Sequence, residues 1–295
     1  ITQIGRENSK IVAITAAMLG PTGLDKFSQS FPERTIDVGI AEQHAVTSAA
    51  GLSYAGMHPV IAIYSTFLNR AFDQLLLDVA LHNAGVTFVL DRSGITGDDG
   101  PSHHGIWDLA LTGIVPNMHV GAPRDGARLK EILRQSVAIQ NAPSMIRFPK
   151  GAVPADIPAL ERISGTDILH RGENKQVLLI SVGSMASMAM EVAGFAKKQS
   201  IEITVIDPLW VKPISPDVIA MCGQYGTVIV MEDGIKHAGI ASAISEALRE
   251  AGSNCVLHSI GVPLEFIEHS KRNEILEDLA ITPAEIVQQI SGWIS

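Results

Sequence analysis

The run VIAIYSTFLNRAFDQLLLDVALHNAGVTFVLD, residues 60–91, decides the fold. It opens on a short apolar stretch, VIAIY at 60–64, and closes on another, VTFVLD at 86–91. Neither stretch alternates polar with apolar side chains, which marks strands covered on both faces, as in parallel sheets. Between them, 67–83 reads as a helix, so the unit is strand, helix, strand: a right-handed crossover between parallel neighbours. Working outward, similar strands stand at 11–15 (IVAIT), 118–122 (MHVGA) and 144–148 (SMIRF), with helix-like stretches at 41–55 and 125–140. A second series follows, with strands at 177–183, 203–207, 227–232 and 255–260 and helices at 185–198, 216–222, 239–251 and 283–292. Pro149, Gly151, Pro154 and Pro158 break the alternation, and a polar stretch ends in RGENKQ. The expected architecture is α/β: a doubly wound domain over 1–150, a linker over 151–175 and a second domain over 176–295. Both domains should hold mostly parallel sheets covered by helices on both faces.

Composition narrows the function. The 295 residues include 31 acidic and 22 basic side chains, a formal charge of −9. That disfavours nonspecific nucleic-acid binding, which needs a surplus of Lys and Arg against phosphates. With 46% hydrophobic and 18% charged residues, the chain can bury large cores. No apolar run approaches the roughly 20 residues of a membrane-spanning helix, so no membrane partner is expected. Cys222 and Cys255 are too few for a disulfide scaffold or a cysteine-built metal site, which points to a cytoplasmic protein. Residues 6–19 mimic a leader peptide, but Glu7 spoils the basic start and IVAIT fits a buried strand. The chain begins at Ile1 rather than Met, which reads as a processed chain or a piece of a longer one.

Ligands of open α/β sheets sit beyond the carboxyl ends of the strands. Polar residues gather there: Asp37 to His44, Ser65 to Arg70, Arg92 to Gly105, and Arg147, Pro149 and Lys150 around the end of SMIRF. Glu42 falls in the first turn of a helix rich in small residues, where the dipole favours a carboxylate; that pattern alone also fits a glutamate that merely complements the dipole. Phe67 follows a Ser-Thr pair at a strand end and is either an exposed ring or a core aromatic beside Leu68 and Phe72. Arg70, three residues on, faces the same side. Arg92 and Arg147 stand at strand ends with Tyr64, and the planar guanidinium suits phosphate; each is equally readable as a separate surface charge. His103 and His104 are adjacent, so at most one faces a small site, and no carboxylate or Cys stands at metal-ligand spacing beside them. His44 reads as structural and His237 as unrelated to chemistry.

Three blocks carry a resemblance: DVGIAEQHAVTSAAGL at 37–52, PVIAIYSTFLNRAFDQLLLDVAL at 59–81 and DRSGITGDDGPSHHG at 91–105. Together they strongly resemble the 1-deoxy-D-xylulose-5-phosphate synthase family, thiamine-diphosphate enzymes of the transketolase group. DPLWVKP at 207–213 and EDGIKHAGIASAI at 232–244 resemble that group's C-terminal domain. The resemblance makes the first domain a pyrimidine-binding domain and Glu42 a catalytic acid, hydrogen-bonded to N1′ of the aminopyrimidine so that the 4′-nitrogen takes the proton from C2. It implies that Phe67 stacks on that ring, with Arg70 on the same side, while Ile40 lies under the cofactor and enforces its bent shape. It implies that Tyr64, Arg92, Asp99 and Arg147 hold the acceptor, and that His103 hydrogen-bonds charge developing near the reacting carbonyl.

The same resemblance implies a transferase that joins pyruvate, with loss of CO2, to D-glyceraldehyde 3-phosphate. The family binds the cofactor's diphosphate through Mg²⁺ with a Gly-Asp-Gly motif and a later Asn. Here Gly97-Asp98-Asp99-Gly100 belongs to another element and Asn117 follows too soon, so the Mg²⁺ ligands are expected in an N-terminal domain. The chain thus reads as a C-terminal half, a fragment or one subunit of a split enzyme, inactive alone and favouring a homodimer. The rival readings are a β subunit of a 2-oxoacid dehydrogenase, whose acceptor is a lipoyl group, and a non-catalytic dimerisation scaffold.

Overall fold

The computed structural model of the chain describes residues 1–294. Its strands are β1 (Ile11–Thr15), β2 (Thr35–Asp37), β3 (His58–Tyr64), β4 (Thr87–Asp91), β5 (His119–Gly121), β6 (Ser144–Arg147) and β7 (Glu161–Ile163). They continue as β8 (Thr166–His170), β9 (Val177–Ser181), β10 (Ile203–Asp207), β11 (Trp210–Lys212), β12 (Thr227–Ile235) and β13 (Val256–Val262). One sheet has the order β11-β5-β6-β4-β3-β1-β2, and the other β13-β12-β9-β10-β8-β7. The apolar runs read from sequence form the buried centres: every residue of β1 and of β9 is buried. Each pairing of the first sheet is parallel except β11 against β5, and β9, β10, β12 and β13 pair in parallel. The expectation of mostly parallel α/β sheets holds.

Three segments depart from the sequence reading. The expected linker contains a hairpin, β7 against β8, and β8 runs antiparallel on β10 at the edge of the second sheet. Its turn is Ser164-Gly165, with φ of 47° and 86°, the paired left-handed conformation of a two-residue hairpin loop. Next, β11 leaves the second series and adds itself to the first sheet, so the two units share a sheet edge. One apolar cluster also joins them, packing Ile14, Ile61 and Phe88 with Ile180 and Val230.

Thirdly, 67–83 is not one α-helix. Ser65–Ala71 winds as 3₁₀ turns, Phe72–Gln74 as a single α turn and Leu75–Ala80 as a π-helical turn. Ser65 and Thr66 send their hydroxyls to the carbonyls of Gly105 and Ser102, which holds this start against a distant loop and away from α-helical geometry. The helices Glu42–Tyr54, Gly126–Ser136, Ala186–Lys197, Pro216–Cys222, Ile240–Glu250 and Pro283–Ile294 lie where expected. Strand order reverses at β1, with β2 on one side and β3 on the other, the kind of switch point beyond whose carboxyl ends α/β sheets bind ligands.

Candidate active site

Asp37 ends β2 and shapes the approach to Glu42. Its Oδ1 accepts the Ala17 N–H at 2.7 Å and the Gly39 N–H at 3.0 Å. Gly39 has φ of 68°, a left-handed turn open to glycine, and three residues later the helix Glu42–Tyr54 begins. Glu42 therefore occupies the first helical position, with its carboxylate at the positive end of the dipole. It is only 2% exposed. Its Oε2 lies 3.2 Å from Arg70 Nε, near enough for charge attraction but misaligned for a hydrogen bond, and this buried oxygen has no hydrogen-bond partner among the described residues. Buried carboxylate oxygens are rarely left so, and the orphan fits a ring nitrogen brought by a cofactor.

The turn Ser65–Ala71 packs on that helix and carries both Phe67 and Arg70. Phe67 is half-buried; its ring stacks on Tyr64 with centroids 5.8 Å apart and meets His103 edge-on at 5.6 Å. The Arg92 guanidinium lies 3.9 Å from the Tyr64 ring centroid, and Arg92 Nη1 donates to Asp91 Oδ2 at 2.7 Å. Burial raises the Asp91 carboxyl above its usual range, opposed by the charge of Arg92. Arg92 has φ of 60°, a strained conformation for a long side chain at the strand end where the site is expected. His103 Nδ1 pairs with Ser102 Oγ at 2.9 Å. Ile40, 73% exposed, presents an apolar side chain just ahead of Glu42. The structure thus pairs Glu42 with Arg70 and separately joins Phe67, Tyr64, Arg92 and His103 through ring contacts, with Phe67 and Arg70 sharing the turn Ser65–Ala71.

Arg147 requires a correction. It is 3% exposed, its Nε and Nη2 grip Asp108 at 2.8 and 3.2 Å, and Nη2 also donates to the Asp233 carbonyl at 2.7 Å. Burial alone would lower its pKa, but Asp108, then Asp233 and Glu232, outweigh that and hold the cation. Arg147 is a buried strut, not a rim ligand. The basic group at the rim is Lys150, whose Nζ donates to Asp99 Oδ2 at 2.8 Å and which shares a cleft of about 290 Å³ with Arg92, Asp91 and Phe148. The signal was present: Lys150 lies beyond the strand end, whereas Arg147 is still inside β6. His104 is fully buried and its Nδ1 accepts the Thr96 N–H at 3.0 Å, which makes it a loop brace. His44, expected to be structural, lies on the exposed side of its helix.

This fold has known counterparts. Residues 1–156 match the family "Transketolase, pyrimidine binding domain" and residues 167–286 match "Transketolase, C-terminal domain". The chain belongs to the transketolase family. Within that family it is similar to the 1-deoxy-D-xylulose-5-phosphate synthases of Leifsonia xyli subsp. xyli, at 54% identity over 295 residues, and of Mycobacteroides abscessus, at 53% over 298. The alignments cover all of this chain but 45% and 46% of those proteins, so the chain spans about half the length of the curated relatives it matches. A solved split gene transketolase, described as an inactive β4 tetramer, superposes with a TM-score of 0.87 at 29% identity, over 99% of this chain and 94% of that one. The transketolase of Campylobacter jejuni shares the fold, with a TM-score of 0.81 at 20% identity over 99% of this chain and 45% of its own. No helix among the described residues is long and apolar enough to cross a membrane.

Proposed function

We propose that this chain supplies the pyrimidine-binding and C-terminal domains of a thiamine-diphosphate-dependent transferase that condenses pyruvate, with loss of CO2, and D-glyceraldehyde 3-phosphate into 1-deoxy-D-xylulose 5-phosphate. The observation that carries the reading is the buried, unpartnered Oε2 of Glu42 in contact range of Arg70, on the element that also bears Phe67. When bound, thiamine diphosphate supplies a nucleophilic carbon once C2 has lost its proton. Glu42 would hydrogen-bond the pyrimidine ring nitrogen through its unpartnered Oε2 and so set the proton balance of the ring. Phe67 would lie against the ring face and keep water from it, and Ile40 would give the cofactor an apolar support.

Arg92 and Lys150, with Tyr64 and Asp99, form the acceptor end: two cations for a phosphate, and a phenol and a carboxylate for hydroxyl groups. His103, edge-on to Phe67, offers its ring nitrogen to charge developing at the reacting oxygen. Mg²⁺ and the diphosphate belong, in this reading, to an N-terminal domain of the same enzyme. Exposed apolar side chains at Ile40, Tyr54, Leu77 and Leu81 support association with that domain and with a second copy. The test is acceptor dependence in the enzyme that contains this chain. CO2 release from pyruvate should require the triose phosphate and yield 1-deoxy-D-xylulose 5-phosphate. Transfer to a lipoyl group instead would replace this reading with that of a dehydrogenase subunit.

A further inference from the structure

We infer that Asp233 and Arg272, which belong to the C-terminal unit, are positioning residues for the loop Arg92–Gly105 that presents Asp99 and His103 to the acceptor; the assignment of that loop rests on the function proposed above. The base of the loop is closed by its own backbone, with the Gly94 N–H donating to the Gly105 carbonyl at 2.7 Å and the Gly105 N–H donating to the Gly94 carbonyl at 2.8 Å. Directly above that closure, both backbone groups of Ile95 are taken by the other unit. Its N–H donates to Asp233 Oδ1 at 3.1 Å, and its carbonyl accepts from Arg272 Nη1 at 2.7 Å. The two side chains are themselves paired, Arg272 Nη2 to Asp233 Oδ2 at 2.7 Å. One ion pair therefore fixes the peptide planes on either side of a single residue, and so the direction in which the loop leaves its base.

The surroundings are shaped to this contact. Gly94 has φ of 80°, and a Cβ there would stand 2.0 Å from Asp233 Oδ2. Gly97 has φ of 83°, and a Cβ would meet the Arg272 backbone nitrogen at 3.0 Å. The side chains of Ile95 and Ile106, on the two flanks of the loop, are each 1% exposed and belong to the apolar cluster of the second unit with Val177, Ile229 and Ile260. Asp233 is 2% exposed, on the part of β12 that extends beyond its pairing with β9. The C-terminal unit thus holds the root of a loop whose tip serves the first.

Arg272→Gln, with Arg272→Lys as the conservative variant, tests this in the complete enzyme, and Asp233→Asn removes the other partner. Arg272 begins a helix and is partly exposed, so Gln is compatible with the fold. Backbone amide exchange over residues 95–105 should quicken about tenfold in the Gln variant, the scale of one charge-assisted hydrogen bond. The KM for D-glyceraldehyde 3-phosphate should rise by a similar factor and kcat should fall with it through His103, while the KM for pyruvate stays within about threefold and Lys restores part of the loss. Unchanged exchange in the loop overturns the inference, as does a uniform loss of kcat and of both KM values with lowered thermal stability. Faster exchange with an unmoved acceptor KM leaves the clamp standing and overturns the assignment of the loop to the acceptor.

Discussion

Two basic residues three positions apart separate structural from ligand chemistry. Arg147 ends β6 and turns inward to Asp108, 39 residues away in sequence, so no local pattern reveals its partner. Lys150 lies past the strand, where the backbone no longer commits it to the interior. Arg147→Ala would leave Asp108 buried without its counter-charge, a loss of about 3–5 kcal/mol, and thermal unfolding should register it. Lys150→Ala should leave the thermal midpoint in place and raise the KM for the phosphorylated acceptor about tenfold. The opposite pattern would restore Arg147 to the ligand set. Glu42 and Arg92 stand at the start of a helix and the end of a strand that the apolar periodicity declares, whereas the roles expected of them, of Phe67 and of Arg70 came from the family blocks. Arg147 was misread because strand ends leave the facing of the last residue open.

At the scale of elements, a row of hydrogen bonds crosses the first sheet away from the carboxyl ends of its strands. His58 Nε2 meets Thr87 Oγ1 at 2.8 Å, and Thr87 Oγ1 meets Ser144 Oγ at 3.0 Å, linking β3, β4 and β6. The Gln140 amide faces His58 Nδ1 at 3.2 Å, so that nitrogen accepts and the ring is neutral. Burial pushes the His58 pKa down from 6.5 to about 4. Between those values the unfolded chain binds the proton and the folded chain refuses it, so stability is full above the upper value and falls as pH drops. Asp207 acts the other way: burial raises its carboxyl from 3.8 to about 6, so its contribution is lost as pH rises through that window. Comparing wild type with His58→Gln cancels the Asp207 contribution. The stability of wild type relative to the variant should fall by about 2 kcal/mol between about pH 7.5 and pH 5 in denaturant titrations. A pH-independent difference would show that His58 keeps an ordinary pKa.

Legibility differs by element for physical reasons. Long buried strands and amphipathic helices announce themselves, whereas β11 spans three residues and owes its place to tertiary pairing alone. The Ser164-Gly165 turn is a recognisable hairpin signal, obscured by prolines just upstream. The segment 67–83 has helical spacing but yields at its start to hydroxyl contacts with a loop more than 30 residues on.

At the scale of the molecule, one chain contains two sheets, a shared apolar cluster, a buried carboxyl group beside Arg70 and a separate cleft that holds Arg92 and Lys150. Family blocks made the candidate site legible; the buried clamp between the units was not, since Asp233, Arg272 and Ile95 are far apart in sequence. On the function proposed above, this chain on its own should bind thiamine diphosphate only weakly, since Glu42 and Phe67 would hold the pyrimidine alone and nothing in the Gly97–Gly100 stretch matches the Mg²⁺ motif. Submicromolar binding in calorimetry without any added polypeptide would contradict that.

The most direct test follows the cofactor's C2 proton by NMR in the complete enzyme carrying Glu42→Gln. Exchange with solvent should slow by about 10²–10⁴-fold while the cofactor remains bound. Exchange at the wild-type rate would remove Glu42 from the chemistry and with it the proposed active site.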